Sequence, residues 1–491
     1  MARTLRHAAV VLAALTVVRL VVAAFLPLTP DEAYYWTWSH ALAAGYVDHP
    51  PMVAFWIRAG TALLGDTCMG VRLLGPLAAG LGTIMLADAA RRVFPARDAG
   101  VIAGALWNAT LFVGAGAATM TPDTPLLFFW CVTVWAAVRI AGGGSGWWWL
   151  IAGVAAGAAL ASKYTAVFLW FGIGAWVLLP AERRRRLRSV WPWLGAVLGG
   201  GVFLPVVLWN AGHGWVSLLR QGGRVGDWQP ARAAGFLGEL VGGQIGLATP
   251  GVWLLCVVGV VGAARAVRRG PPPAAGYASL LLWLTVPPVA VFVQHAFGDR
   301  VQGNWPAIVY PAAVLAASGA LPVRWRRWVR PSVGFGFVLT ALVLLHALTG
   351  VLPLPARADP AARQLAGWQG LAVAVDALRA RENATYAVAE EYALTSELAW
   401  HAPAGLTVVG IDPRVNPMDL PRSDLSGRTG ILIRAEHRWD EIDAGTWASA
   451  EPLGFMDRVA AGGTVERYRI WRVVGRLPAV TMPGRGFAAA R

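Results

Sequence analysis

Directly after its first apolar run, the chain carries Thr29-Pro30-Asp31-Glu32-Ala33-Tyr34-Tyr35-Trp36, followed by Gly45-Tyr46-Val47-Asp48-His49-Pro50-Pro51. Adjacent carboxylates leading into an aromatic run are what a sugar-handling site needs. One carboxylate, Asp31 or Glu32, takes a proton from a hydroxyl, while aromatic faces such as those of Tyr34 and Tyr35 stack on a pyranose and exclude water. Ionisable groups at a membrane boundary are costly unless they are paired or used. The alternative reading is an interfacial aromatic belt with Asp31 as a helix cap, and one residue can both cap and act as a base.

Other ionisable residues stand out by their isolation. Lys163 is the only lysine among 42 basic residues, so its position is read as needing a compact ammonium that meets a phosphate as a point charge. Chance survival in an arginine-preferring composition is the alternative. Asp123 lies in the turn Thr121-Pro122-Asp123-Thr124-Pro125, where two prolines fix its geometry. It is a second carboxylate able to orient an acceptor or hold Lys163, or else Asp123 or Thr124 caps the following helix. Arg224 and Arg300, in otherwise neutral loops, are candidates for bidentate phosphate binding, with interfacial snorkelling as the bland reading. Asp48 and His49 could join Asp31 and Glu32 as hard ligands, so a divalent metal ion is the one candidate cofactor, although no tight spacing such as His-x-x-x-His supports it. A hydrogen-bonding role for His49 is the plainer alternative. Cys68, Cys131 and Cys256 form no disulfide framework, and the glycines of 142–146 lack the Lys-Ser/Thr of a phosphate loop.

The elements that position these residues follow from composition. The chain has 491 residues, 56% hydrophobic and 14% charged, and apolar runs recur at membrane-spanning length. The runs 8–27, 71–90, 99–118, 124–141, 147–162, 164–180, 190–209, 247–264, 277–296, 305–321 and 332–353 predict about eleven spans. The first reads as an uncleaved anchor. The net charge of +15 invites a nucleic-acid reading, but the arginines cluster at span ends. Arg91 and Arg92, Arg139, Arg183 to Arg186, Arg268 and Arg269, and Arg324 to Arg327 all fall on one side, which the positive-inside rule makes cytoplasmic. The opposite face then carries 28–70, 119–125, 210–246 and 297–304. An odd span count also exports residues 354–491, where short β-like runs at 407–409, 431–433 and 468–471 and a helical stretch around 364–381 predict a small domain. The expected architecture is an all-α polytopic membrane protein, residues 1–353, with a small external α/β C-terminal domain, residues 354–491.

The segments 31–35 and 48–51, with Thr121-Pro122-Asp123-Thr124-Pro125-Leu126, Ser162-Lys163-Tyr164-Thr165, Trp209-Asn210, Arg224 and Asn304-Trp305-Pro306, resemble the polyprenyl-phosphate-sugar-dependent membrane glycosyltransferases. That superfamily includes protein O-mannosyltransferases and the lipid A aminoarabinose transferase. The resemblance runs in order over about residues 10–320, with a fainter echo at 392–398. It implies a GT-C-like fold, a polyprenyl-phosphate sugar donor, an extracytoplasmic acceptor hydroxyl and an inner-membrane location. It implies Asp31 as the base, with Glu32 as competitor or orienting partner, and it adds Asn304 and Trp305 to the substrate-binding candidates. A flippase or other transporter of lipid-linked sugars is the alternative class, but that would place charges in mid-span and show related halves. A structural membrane protein would leave the Asp-Glu and Asp-His-Pro-Pro segments without a purpose.

Overall fold

The computed structural model describes residues 2–96, 98–222, 228–438, 442–443, 445–461 and 463–485. Among them, seven helices are long and apolar enough to cross a bilayer: Arg6–Phe25, Cys68–Val93, Asp123–Ala141, Trp191–Gly212, Pro250–Arg269, Ala274–His295 and Val323–Thr349. Two further pairs, Ala99–Asn108 with Leu111–Ala118 and Tyr164–Leu178 with Ala181–Arg188, bend by 74° and 103° at a short break; counting each as one span gives nine. Trp147–Leu160 and Trp305–Ala320 are apolar but shorter. The 14 residues of Trp147–Leu160 make a rod of about 21 Å, against a hydrocarbon core of about 30 Å. Length and composition therefore support seven to nine of the expected spans.

Two regions expected as loops are largely helical. Residues 28–70 fold into Pro30–His40, Met52–Leu64 and Cys68–Arg72, and residues 210–246 include Val216–Gly222 and Pro230–Leu247. Start signals account for the first region. Thr29 and Glu32 form a reciprocal capping box with Pro30 in the first turn, and the Thr67 side chain accepts from the Gly70 N–H. Asp31 is thus inside its helix, and Thr29 is the cap.

The chain divides into two compact units, one of Met1–Val21, Asp48–Val53 and Leu74–Val343, the other of Val22–Val47, Ala54–Leu73 and Leu344–Arg491. The first unit is helical around an apolar core that includes Trp107, Trp130, Leu255 and Leu315. Its tightest helix contact has a clear sequence cause. Gly153 and Gly157 of Trp147–Leu160 face Gly195 and Gly199 of Trp191–Gly212 so closely that a Cβ on Gly153 or Gly157 would overlap the opposing backbone. This is the small-residue packing of membrane helices, in which missing side chains let backbones touch.

The second unit contains a sheet built, among the described residues, from β1 (Tyr386–Ala389), β2 (Val408–Gly410), β3 (Arg422–Ser423), β4 (Thr429–Ala435), β5 (Trp447–Ala460), β6 (Gly463–Gly475) and β7 (Ala479–Thr481). The order is β3-β7-β2-β1-β4-β6-β5. β1 pairs in parallel with both β2 and β4, the helix Tyr392–His401 crossing from β1 to β2, and the other pairings are antiparallel. Val388, Val409, Leu432 and Val473 form its buried centre. The short β-like runs of the sequence lie in β2, β4 and β6. The long β5–β6 hairpin was not anticipated, because β5 is mostly exposed and broken by register shifts, so it lacks clean apolar alternation.

Candidate active site

Two constellations hold most of the residues singled out by sequence, one in each unit. In the second unit, the adjacent acids have separate fates. Glu32 is fully buried and paired with Arg72 through two contacts of 2.6 Å, Nε to Oε1 and one terminal nitrogen to Oε2. Arg72 gives its remaining N–H groups to the carbonyls of Ala23, Leu26 and Pro27, so all five of its donors are used. Glu32 Oε2 also accepts from the backbone N–H and hydroxyl of Thr29. A carboxylate this fully satisfied is a structural anchor, because removing one partner strands a buried charge. Asp31 lies on the exposed side of the same first turn and accepts a hydrogen bond from the Tyr392 hydroxyl at 3.1 Å.

The neighbouring aromatics brace this helix. Tyr34 and Tyr35 are 1% and 7% exposed, with their rings 5.0 and 4.9 Å from Trp38, and Tyr34 also lies 4.5 Å from the Tyr392 ring. Trp36 packs edge-on against Trp400 and donates to Asp66. The faces expected to meet a sugar are therefore largely occupied by one another.

In the first unit, Lys163 donates to both oxygens of Asp123, at 2.8 and 2.9 Å, and Asn304 donates to Asp123 Oδ2 at 2.6 Å. Lys163 is only 6% exposed. Asp123 opens its helix without a side-chain capping bond, and Thr124 instead bridges the Thr121 N–H and the Thr119 carbonyl. The capping reading of Asp123 therefore gives way to one in which it gathers Lys163 and Asn304. Trp305, next to Asn304, lies 5.6 Å from the His295 ring. Two further motifs of the sequence meet nearby along the chain: Asn210 donates to the Tyr164 hydroxyl at 3.2 Å, which also bonds Ser217 at 2.9 Å.

The Met52 N–H donates to the Ala161 carbonyl and so fastens the Asp48–Pro51 segment beside the turn that carries Lys163. Asp48 forms an ion pair with Arg220 at 2.7 Å, and the Gln221 side chain donates to its carbonyl. Arg300 is well exposed and paired with Glu239 at 2.7 Å. Arg224 lies outside the described residues. Among the described residues, no group of three or more His, Cys, Asp or Glu is disposed to hold a metal ion. Asp48 is committed to an arginine and Glu32 to another, so these donors do not fit a metal and no step is derived through one.

Sequence reasoning passed over Arg72, Arg220 and Tyr392. Arg72 and Arg220 each sit among apolar residues, where an arginine needs a counter-charge, and that was the available signal. Tyr392 gave only its place in the fainter 392–398 similarity.

The family model described as dolichyl-phosphate-mannose-protein mannosyltransferase matches residues 48–209. The lipid A galacturonosyltransferase RgtD of Rhizobium johnstonii is 26% identical over 325 residues, which is 66% of this chain and 66% of the relative, just under two thirds of its length. The crystal structure of ArnT from Cupriavidus metallidurans in the apo state shares the fold at a TM-score of 0.62 and 17% identity, over 96% of this chain and 98% of that one. Its complex with undecaprenyl phosphate gives 0.64 and 16%, over 94% and 97%. Over residues 48–209 the chain is thus similar to a family of membrane glycosyltransferases, and its fold is that of the two ArnT structures.

Proposed function

We propose that this protein transfers a sugar from a polyprenyl-phosphate donor to an acceptor hydroxyl on the extracytoplasmic face of the inner membrane, with Asp31 as the general base. One observation carries the assignment of the base: of the two adjacent acids, Glu32 is buried and fully engaged, whereas Asp31 is exposed. In this reading Asp31 takes the proton of the acceptor hydroxyl as the bond from the anomeric carbon to the phosphate oxygen breaks. The polyprenyl phosphate leaves with both bonding electrons, and Lys163 is assigned to its charge. The likeness to a lipid A galacturonosyltransferase makes lipid A the first acceptor to test and a uronic acid the first sugar.

Eleven crossings with an extracytoplasmic tail complete the proposal. It is supported by contacts that gather arginines from three successive loops: Arg92 and Arg139 both reach Asp88, and Arg186 donates to the Ile140 carbonyl. Transport of a lipid-linked sugar is the alternative, and it leaves the glycosyl–phosphate bond intact.

The test compares envelope lipids and glycans by mass analysis in cells with the wild-type gene, without it, and with Asp31→Asn. Loss of a sugar-bearing species in the last two is expected. Turnover itself is read in vesicles of lipid A supplied with undecaprenyl-phosphate-linked galacturonic acid. Asp31→Asn should slow the release of undecaprenyl phosphate by about two to four orders of magnitude, the usual worth of a general base. Near wild-type turnover would remove Asp31 from the role.

A further inference from the structure

The region 354–491 contributes a residue to the proposed base that neither the family match nor the relatives assign. The Tyr392 hydroxyl donates to Asp31 Oδ1 at 3.1 Å. Tyr392 is itself held from two sides. Its backbone N–H donates to Asp412 Oδ2 at 2.9 Å, and the other oxygen of Asp412 accepts from the Arg414 N–H at 2.8 Å. One carboxylate thus fixes two residues in register, and the result is the Arg414 guanidinium 4.2 Å from the centroid of the Tyr392 ring. The other side of the ring's surroundings is Tyr34, from the helix that bears Asp31, with centroids 4.5 Å apart.

From this geometry we infer that Tyr392 is the positioning residue of the base, and that Arg414 and Asp412 keep it in place; the inference rests on Asp31 being that base. The chemistry follows from the donor. A phenol O–H on Oδ1 holds the carboxylate plane in one orientation and favours its charged form. A guanidinium over the ring stabilises negative charge on the phenol oxygen, which makes the O–H a stronger donor. A tyrosine from the 138-residue region 354–491 then tunes the acid–base group of the reaction.

The groups around this contact determine what a pH profile reads. Glu32 and Arg72 neutralise one another, and His40 lies 3.5 Å from Asp66. From the Tyr392 helix, burial pushes the Glu397 carboxyl well above the usual carboxylate range and brings the His401 ring down to about 4. Asp412 is engaged by two backbone N–H groups, and Arg414 stays cationic. Replacing Tyr392 by Phe touches none of these side chains and keeps the ring, so a shift between wild type and variant reports the lost O–H.

The experiment measures kcat, donor KM and the pH dependence of kcat for the full-length protein, with undecaprenyl-phosphate-linked galacturonic acid as donor and lipid A vesicles as acceptor. Removing the donor disfavours the carboxylate, so the acid limb of the Tyr392→Phe profile should move to higher pH by roughly one unit, the scale of a hydrogen bond to a charged group at an exposed site. The plateau kcat should fall by about tenfold while donor KM stays within about twofold, since a misoriented base loses transition-state stabilisation only. Arg414→Leu should give a smaller shift in the same direction. A wild-type limb and plateau in Tyr392→Phe would overturn the inference, as would a higher donor KM with the limb unmoved. Asp31→Asn run alongside separates the two levels. If it turns over normally, the base assignment falls. If it is inactive while Tyr392→Phe is normal, only the role of Tyr392 falls.

Discussion

Lys163 shows how a single residue type can be legible in sequence while its setting is not. As the only lysine it marked itself, but its carboxylate partner lies 40 residues away, and only the fold shows that both oxygens of Asp123 are taken up by its ammonium. Two of the three N–H donors are used there, and a third suits one phosphate oxygen. Burial at 6% exposure argues against a snorkelling anchor, whose head group would reach water. If Lys163 meets the donor phosphate, Lys163→Ala should lower both donor affinity and turnover, with kcat/KM down by about ten- to a hundredfold, the worth of a charge-assisted hydrogen bond. Lys163→Arg should recover only part of that, because a planar fork cannot place its charge where a compact ammonium does and still satisfy Asp123. Initial rates against donor concentration decide the matter. An arginine variant indistinguishable from wild type would reduce Lys163 to a structural cation and transfer the phosphate role to another arginine.

At the scale of elements, glycine spacing sets one contact that energetics alone would not favour. Trp147–Leu160 and Trp191–Gly212 are both apolar enough to prefer lipid as readily as each other, and what joins them is close backbone approach at Gly153, Gly157, Gly195 and Gly199. Gly157→Val should therefore force the helices apart, lowering the melting temperature and yield of the detergent-solubilised protein, whereas the same change at Gly201, which has open space around it, should be tolerated. Equal melting temperatures for the two variants would show that the contact contributes nothing. The apolar runs of these helices were readable from composition, because lipid imposes hydrophobicity residue by residue. The helical character of 28–70 was harder to see. Its start depends on Thr29 and Glu32 acting reciprocally, and its burial depends on partners as distant in sequence as Trp400. For the same reason Asp31 was legible as a candidate base but its separation from Glu32 was not: that distinction is made by Arg72, 40 residues on. β5 stayed hidden because a strand with most of its residues exposed carries no alternation to read.

For the whole molecule, the arginine contacts constrain how many helices cross. Arg92 and Arg139 share Asp88, so the segment between them must cross an even number of times, which requires the bent pair Ala99–Asn108 with Leu111–Ala118 to count as one span beside Asp123–Ala141. Arg186 reaches the Ile140 carbonyl at 2.6 Å, so the segment from 140 to 186 must also return to the same face. The apolar helices between are Trp147–Leu160 and Tyr164–Leu178, and both must cross or neither does. The short Trp147–Leu160 thereby gains a role that its length does not announce. A terminal reporter fused after Arg186 should read cytoplasmic if both cross, but extracytoplasmic if Tyr164–Leu178 crosses and Trp147–Leu160 does not. Arginine clusters at the same face as the amino terminus are what the positive-inside rule orients toward the cytoplasm. A second reporter at Arg363 should read extracytoplasmic if Trp147–Leu160, Tyr164–Leu178 and Trp305–Ala320 all cross, because the eleven crossings are then odd and put the tail opposite the amino terminus, whereas ten would leave it on the amino-terminal side. Both reporters on one side would mean a span has been counted wrongly. The tail would then face cytosolic nucleotides, and a lipid-linked donor would no longer be required by location.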